Sequence, residues 1–338
     1  MRCVGFVVLA AMLGASAQGS RAEVIDEPEP KPDPDRGNFW RDMLDPNAEE
    51  VAALVVKTRA ALDAADRSKA NDLDATSLEL RARVYRDVFN ILTYARRLSP
   101  ENLAVLTLLG RAADETGQTR HAIDALQTIT QLTGPEKADA EVTGRLGSIY
   151  LRLGQLDDAI RWLRIAQATS KTAGPDLIHL ASALALRGDS AGAIDVLANA
   201  TPTAPSYYAQ PVTLINFALA VHYDRDEQRG AAFEVLDRLK ASLAQTYGPQ
   251  LQHELATFRF APAEDAHYFH ALFYESLGAY AEARAAWVLY AAGDAPYRRR
   301  ALEHVAQLDT LRRARPGPHI VPVAPLVNPA IHRRIKVP

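Results

Sequence analysis

The stretch that decides the fold is LGSIYLRLGQLDDAIRWL, residues 146–163. Apolar residues recur at helical spacing on both sides of Gly154, and a glycine at such a point permits a tight reversal of the chain. Ala159 is small where the second helix would meet the first, so the two helices can approach closely. The stretch therefore predicts a hairpin of two packed helices.

The hairpin pattern recurs along the chain. Gly117, Gly154 and Gly188 occupy the turns of three copies at spacings of 37 and 34 residues, and Gly278 occupies the turn of a later one. A degenerate copy has Glu227 at this place. These residues resemble the tetratricopeptide repeat family, whose unit is a helix hairpin of about 34 residues.

The resemblance covers Glu101 to Ala292 and rests best on Leu146, Gly147, Tyr150, Gly154, Ala159 and Leu163. It implies an all-α fold, an α-solenoid of tetratricopeptide-like helix hairpins with flexible N- and C-terminal extensions. We expect five segments: a signal peptide over 1–22, a Pro/acid-rich linker over 23–38, a divergent N-terminal helix hairpin over 39–100, the repeat array with a C-terminal capping helix over 101–313, and a Pro-rich basic tail over 314–338.

The first residues have the pattern of a secretory signal. Arg2 gives a positive start, and an apolar stretch from Val4 to Leu13 precedes small residues suited to cleavage. The apolar run is far shorter than the roughly 20 residues of a spanning helix, so no membrane span is expected in the mature chain. Cys3 is the only cysteine and lies inside this signal. The sequence predicts an exported bacterial protein, periplasmic or secreted.

The C-terminal end is basic. From Arg298 to Pro338, nine basic residues face two acidic ones. This end could contact an acidic surface, although ordinary solvated charge at helix ends is the interpretation we favour. Aromatic residues do not interleave with these charges, so nucleic acid is not an expected partner.

Few residues suggest chemistry. His267 and His270 lie three apart near Asp265 and could face a metal, but packing positions in a repeat explain them better. Asp224 begins an acidic loop, but Arg229 and Val235 stand where a calcium-binding loop needs glycine and glutamate. A solvated loop is therefore expected. The sequence therefore predicts that the protein is not an enzyme and has no catalytic residue, metal or cofactor.

The resemblance also implies a partner-binding groove lined by the first helix of each hairpin. Carried over by the repeat pattern, the groove residues are Thr107, Arg111, Asp114, Glu115, Ser148, Arg152, Ile178, Ser182, Phe217, Val221, Tyr268 and Glu275. The expected partners are envelope proteins of unknown identity.

Three functions remain open from sequence. The first is a protein-protein interaction scaffold or adaptor in a bacterial cell-envelope assembly, such as secretion, motility, pilus or outer-membrane machinery. The second is an exported hydrolase that uses the plentiful carboxylates. The third is a glycan- or peptidoglycan-binding module that uses Tyr207, Tyr208, Trp287 and the basic end.

Overall fold

Five chain reversals within the described residues share one backbone geometry. At Gly154, the N–H of Gly154 donates to the carbonyl of Leu151, and the N–H of Gln155 donates to that of Tyr150. The same two hydrogen bonds recur at the other four turns. The residues with positive φ at these turns are Gly117 (73°), Gly154 (73°), Gly188 (95°), Glu227 (61°) and Gly278 (73°).

The computed structural model describes residues 45–68, 75–170, 174–200 and 212–314. Residues 47–338 form one unit, and only Asp45 and Pro46 are described of the other, residues 1–46. All regular structure in the described ranges is helical. The helices are α1 (Ala48–Ser68), α2 (Ala75–Leu98), α3 (Leu103–Glu115), α4 (Thr119–Thr133), α5 (Ala140–Arg152), α6 (Leu156–Thr169), α7 (Pro175–Leu186), α8 (Ser190–Ala200), α9 (Val212–Arg225), α10 (Arg229–Leu243), α11 (Tyr247–Thr257), α12 (Asp265–Ser276), α13 (Tyr280–Ala292) and α14 (Arg298–Ala314).

The helices pack as consecutive antiparallel pairs. Contacts join α1 to α2, α3 to α4, α5 to α6, α7 to α8, α9 to α10 and α12 to α13, while α14 packs on α13. The first helices of these pairs also contact one another in succession, from α1 through α3, α5, α7 and α9 to α12. The expected all-α solenoid of tetratricopeptide-like hairpins is confirmed. The predicted signal peptide, the linker and the tail after Ala314 lie outside the described residues. None of the described helices combines the length and apolar character that crossing a membrane requires.

Small residues let the paired helices approach closely. A Cβ atom placed on Gly147 of α5 would lie 2.4 Å from Cγ of Leu163 in α6, and one on Gly110 of α3 would lie 2.5 Å from Leu126 in α4. Such distances are well inside van der Waals contact. Both glycines therefore let a leucine of the second helix pack directly against the backbone of the first.

An insertion separates α10 from α12. The connection from α10 to α12 contains a short 3₁₀ turn (Ala244–Thr246) and helix α11. Helix α11 packs beside α9, where Glu254 accepts a hydrogen bond from the N–H of Leu214 at 2.6 Å. The chain then runs from Phe258 to Glu264 without regular helix before α12 begins.

The turn at Glu227 provides a stability test. Replacing Glu227 by glycine should raise the free energy of unfolding by about 0.5–1 kcal/mol, because a side chain at positive φ is strained and glycine is not. Urea unfolding followed by circular dichroism measures this change. Glu227 also pairs with Arg299, so Glu227→Gln is the control that removes the charge alone. If the glycine variant is no more stable than the glutamine variant, the backbone of Glu227 is not strained.

Candidate functional site

The first helices of successive hairpins form a continuous layer, which we call the first-helix face: α1, α3, α5, α7, α9 and α12. The groove residues that the repeat pattern predicts lie on five of these helices, α3, α5, α7, α9 and α12. Two buried charge clusters lie on this face, one around Asp114 and one around Asp224.

Asp114, near the end of α3, is surrounded by three guanidinium groups. Arg152 of α5 donates to its Oδ1, while Nη1 of Arg145 lies 3.2 Å and Nη1 of Arg259 lies 2.9 Å from its Oδ2. Glu115 lies 3.9 Å from both Arg145 and Arg259. The Asp114 side chain is only 4 % exposed, so these arginines are its charge partners in place of water.

Burial alone would raise the pKa of the Asp114 carboxyl. The positive charges of Arg152, Arg259 and Arg145 outweigh burial, and the pKa lies below its ordinary value. Asp114 is therefore a carboxylate at neutral pH. Asp176 behaves oppositely, because burial raises its pKa to about 6 despite the charge of Arg145.

Arg259 comes from a distant part of the chain. It belongs to the inserted segment, which we define as residues 258–260, between α11 and α12. Nη2 of Arg259 also donates to the backbone carbonyl of Asp114 at 3.2 Å. The carbonyl of Arg259 lies 2.9 Å from Nε2 of His179 in α7. The inserted segment thus links the first and third clear hairpins across the first-helix face.

His179 acts as a neutral donor in this contact. Burial lowers the pKa of its imidazole to about 4, although the hydrogen bond to Arg259 opposes the shift. A carbonyl can only accept, so Nε2 carries the proton and donates to it. The ring also lies beside Phe258, with centroids 5.0 Å apart.

The second cluster surrounds Asp224 at the end of α9. Arg300 and His304 of α14 both donate to its carboxylate, and the Tyr268 hydroxyl donates to Oδ2 at 2.7 Å. Burial would raise the pKa of Asp224, but the hydrogen bonds from His304, Arg300 and Tyr268 hold it below its ordinary value. The carboxylate anchors α14 to the array. The expectation of a solvated loop is wrong for Asp224, because the helices around it exclude water.

His304 is held between two carboxylates. Its Nε2 lies 3.0 Å from Asp224 Oδ2 and its Nδ1 lies 2.9 Å from Glu275 Oε2. Burial lowers the pKa of an imidazole, but the two carboxylates outweigh it and raise the pKa to about 9. Trp287 stacks on the ring at 4.3 Å and donates to the same Glu275 oxygen. His304 is therefore an imidazolium at neutral pH.

A buried ion pair lies next to this cluster. Nη2 of Arg225 lies 2.7 Å from Oδ1 of Asp265, and both side chains are buried. The Arg225 guanidinium lies over the rings of Tyr268 and Tyr297, 4.6 Å from each centroid. Cation–π contacts of this kind stabilise a desolvated arginine. The pair therefore joins α9 to the start of α12.

The predicted groove residues divide by exposure. Seven are buried and present no side chain at the surface: Asp114, Ser148, Ile178, Ser182, Phe217, Val221 and Tyr268. For these seven the expectation of an exposed groove side chain is corrected, since the packed helices bury them and Arg259 also covers Asp114. Five are partly exposed: Thr107, Arg111, Glu115, Arg152 and Glu275. That they bind a partner stays a prediction.

Internal pairs engage several of the partly exposed residues. Arg111 binds Asp63 and Asp66 of α1, and Arg152 binds Asp114. Glu275 binds His304. Thr107 donates to the carbonyl of Leu103 in its own helix. The groove charges thus connect neighbouring hairpins.

Three other groups of residues that the sequence singled out are the aromatic residues of a glycan site, the basic end and the possible metal ligands. Trp287 is fully buried and offers no surface to a glycan, while Tyr207 and Tyr208 lie outside the described residues. Arg300 is buried on Asp224, and the exposed Arg299 pairs with Glu227 and Glu303, so these two arginines of the basic end bind carboxylates of the array. Asp265 binds Arg225, and within the described ranges there is no group of three metal-ligand side chains.

Sequence reasoning missed Arg259, Arg300 and His304 as structural partners. The turn acids Asp114 and Asp224 occupy the same place, three residues before the turn residue of their hairpins. The sequence signal that could have indicated the two clusters is a carboxylate at the same position in two hairpins. The partners of each acid are too distant in sequence to be assigned from spacing.

Hairpins with this turn, stacked through their first helices, define the chain as an α-solenoid of tetratricopeptide-like repeats. No protein-family model and no curated protein sequence matches it.

Solved structures similar to the chain are repeat proteins. The TPR-like repeats of a Podospora anserina kinesin light chain are 22% identical, cover 57% of this chain and 97% of their own, and have a TM-score of 0.43. A C-terminal part of a TPR repeat-containing protein from Cytophaga hutchinsonii is 16% identical, covering 76% and 98%, with a TM-score of 0.42. YrrB, described as a TPR protein with an unusual peptide-binding site, is 17% identical, covering 56% and 94%, with a TM-score of 0.40.

Proposed function

We propose that this protein is a non-enzymatic scaffold that binds other proteins through its first-helix face, within a bacterial cell-envelope assembly. The observation that carries the proposal is the inserted segment. Residues 258–260 lie on this face outside any helix, and their contacts use both backbone and side chains. A face that holds one non-helical segment in this way has the donors, acceptors and apolar contacts that peptide binding requires.

The envelope location is supported by the sequence alone. Arg2, the apolar stretch from Val4 to Leu13 and the small residues after it suit export. A chain whose only cysteine lies in that segment is suited to an oxidising compartment, because the mature protein has no thiol to oxidise.

Site-specific photo-crosslinking in cells tests this proposal. A photoreactive amino acid at Thr107, on the first-helix face, should give discrete adducts with envelope proteins. The same group at Asp237 of α10, whose side chain is 75% exposed, is the matched control on a second helix and should give none of these adducts. The adducts should be found in the periplasmic or secreted fraction.

Two results would contradict the proposal. Equal adducts from both positions would show that the first-helix face has no special role. Adducts confined to cytoplasmic proteins, on a chain that keeps its first residues, would remove the envelope assignment.

A further inference from the structure

The inserted segment contacts the array at residues remote from it in sequence. Arg259 reaches Asp114 across 145 residues, and its carbonyl reaches His179 across 80. Phe260 packs on Phe269 of α12, with ring centroids 4.9 Å apart. Helices of three hairpins therefore form one binding site for a short stretch of chain.

The charges of the array alone leave room for one cation. Asp114, Glu115 and Glu141 provide three carboxylates around the site, whereas α5 provides only two guanidinium groups, from Arg145 and Arg152. Asp176 also lies near Arg145 with a pKa of about 6, so the array carries an excess of carboxylates, and Arg259 supplies a third guanidinium next to Asp114.

The site distinguishes arginine from lysine by geometry. Nη1 of Arg259 lies 2.9 Å from the Asp114 carboxylate and Nη2 lies 3.2 Å from the Asp114 carbonyl. A planar guanidinium places two donors on two acceptors at once, whereas an ammonium is a single point charge.

Aromatic contacts flank the charged one. Phe258 lies beside the His179 ring and Phe260 beside Phe269, while the two phenylalanines meet edge-on at 4.8 Å. Phe260 is buried and Phe258 is partly exposed. The sequence that suits the site is therefore an arginine between two aromatic residues.

The bound segment is open to exchange. The Arg259 side chain is 31% exposed, so solvent reaches the ion pair. Helix α11 ends at Thr257 and α12 begins at Asp265. Arg259 and Phe260 can leave the site without breaking a hydrogen bond of either helix, whereas the Phe258 N–H stays bound to the Glu254 carbonyl at the end of α11.

We propose that the surface around Asp114, Glu115 and His179 is a binding site for a partner peptide in which arginine stands between aromatic residues, and that residues 258–260 occupy it until such a peptide displaces them. This inference rests on the proposed function and names the class of partner. The tethered segment competes with any incoming peptide, so weakening it increases the affinity for the free peptide.

Peptide binding measured by fluorescence anisotropy tests the inference. The probe is a labelled peptide with the sequence of residues 255–264, LATFRFAPAE. It should bind the mature chain carrying Arg259→Ala about tenfold or more tightly than the unaltered chain, because the internal competitor is weakened. A peptide with lysine in place of arginine should bind that variant about tenfold more weakly than the probe. Equal affinity for both chains, or for both peptides, would overturn the inference.

Hydrogen exchange on the unaltered chain is a second measurement that needs no variant. With an isotope-labelled chain and an unlabelled probe, a saturating amount of the probe should speed amide exchange in residues 258–260 of the chain, read by NMR, and leave exchange in α14 unchanged. Unchanged exchange in the inserted segment would also overturn the inference.

The two proposals fail in different ways. If Thr107 gives envelope adducts but the probe does not displace the inserted segment, the scaffold stands and the arginine site does not. If the probe exchanges but no adduct forms in cells, the site stands and the envelope scaffold does not.

Discussion

Replacing Asp114 by asparagine should lower the free energy of unfolding by about 3–5 kcal/mol, the range found when one partner of a buried ion pair is removed. Asparagine has nearly the same shape, so no cavity contributes. The loss arises because Arg145, Arg152 and Arg259 then face a neutral amide at a position where the side chain of residue 114 is only 4 % exposed. Urea unfolding at pH 7, followed by circular dichroism, gives the change.

Glu115→Gln is the matched control. It neutralises the adjacent residue, whose oxygen lies 3.9 Å from two of the same arginines and is more exposed. We expect a loss below about 1 kcal/mol, as for pairs near the surface. Equal losses for the two variants would show that Asp114 is not the central anion of the cluster.

Raising the pH from 6.5 to above 9 should remove on the order of 2–3 kcal/mol of stability through His304. Its folded pKa is raised to about 9 from an ordinary 6.5 by Asp224 and Glu275, which outweigh burial. The contribution of a group with a raised pKa is complete below the unfolded value and disappears as the pH passes the folded one. Unfolding free energies at intervals across this range provide the measurement.

The variant His304→Gln keeps a donor in the pocket but cannot titrate. Its stability should be lower at pH 6.5 and should change less between pH 6.5 and 9 than that of the unaltered chain. The buried His179, His222 and His270 have lowered pKa values, so they titrate below this range and do not obscure the comparison. An identical slope in both proteins would contradict the imidazolium assignment.

The repeat pattern predicts the hairpins well because their cause is local. Gly154 and its equivalents mark the turns, and apolar spacing marks the helices between them. Even the exception at Glu227 was visible in the sequence, although the structure was needed to show that it takes the same backbone conformation as glycine.

The buried charge clusters were less predictable, because residues distant in sequence form them. The repeat pattern indicates which residues belong to first helices, but not which of them a later segment covers. Whether Asp114 meets solvent depends on Arg259, and whether Tyr268 does depends on α13 and α14. The burial of Asp114 thus depends on the path of a connection that follows no repeat.

The inserted segment also changes how the array should unfold. In an ordinary solenoid each repeat contacts only its neighbours, so an end can melt while the middle persists. Here the contact between Arg259 and Asp114 spans 145 residues, and the contact with His179 adds a second tie. Hairpins that would melt one after another are coupled by these ties, so the repeats between α3 and α12 should unfold in a single cooperative step.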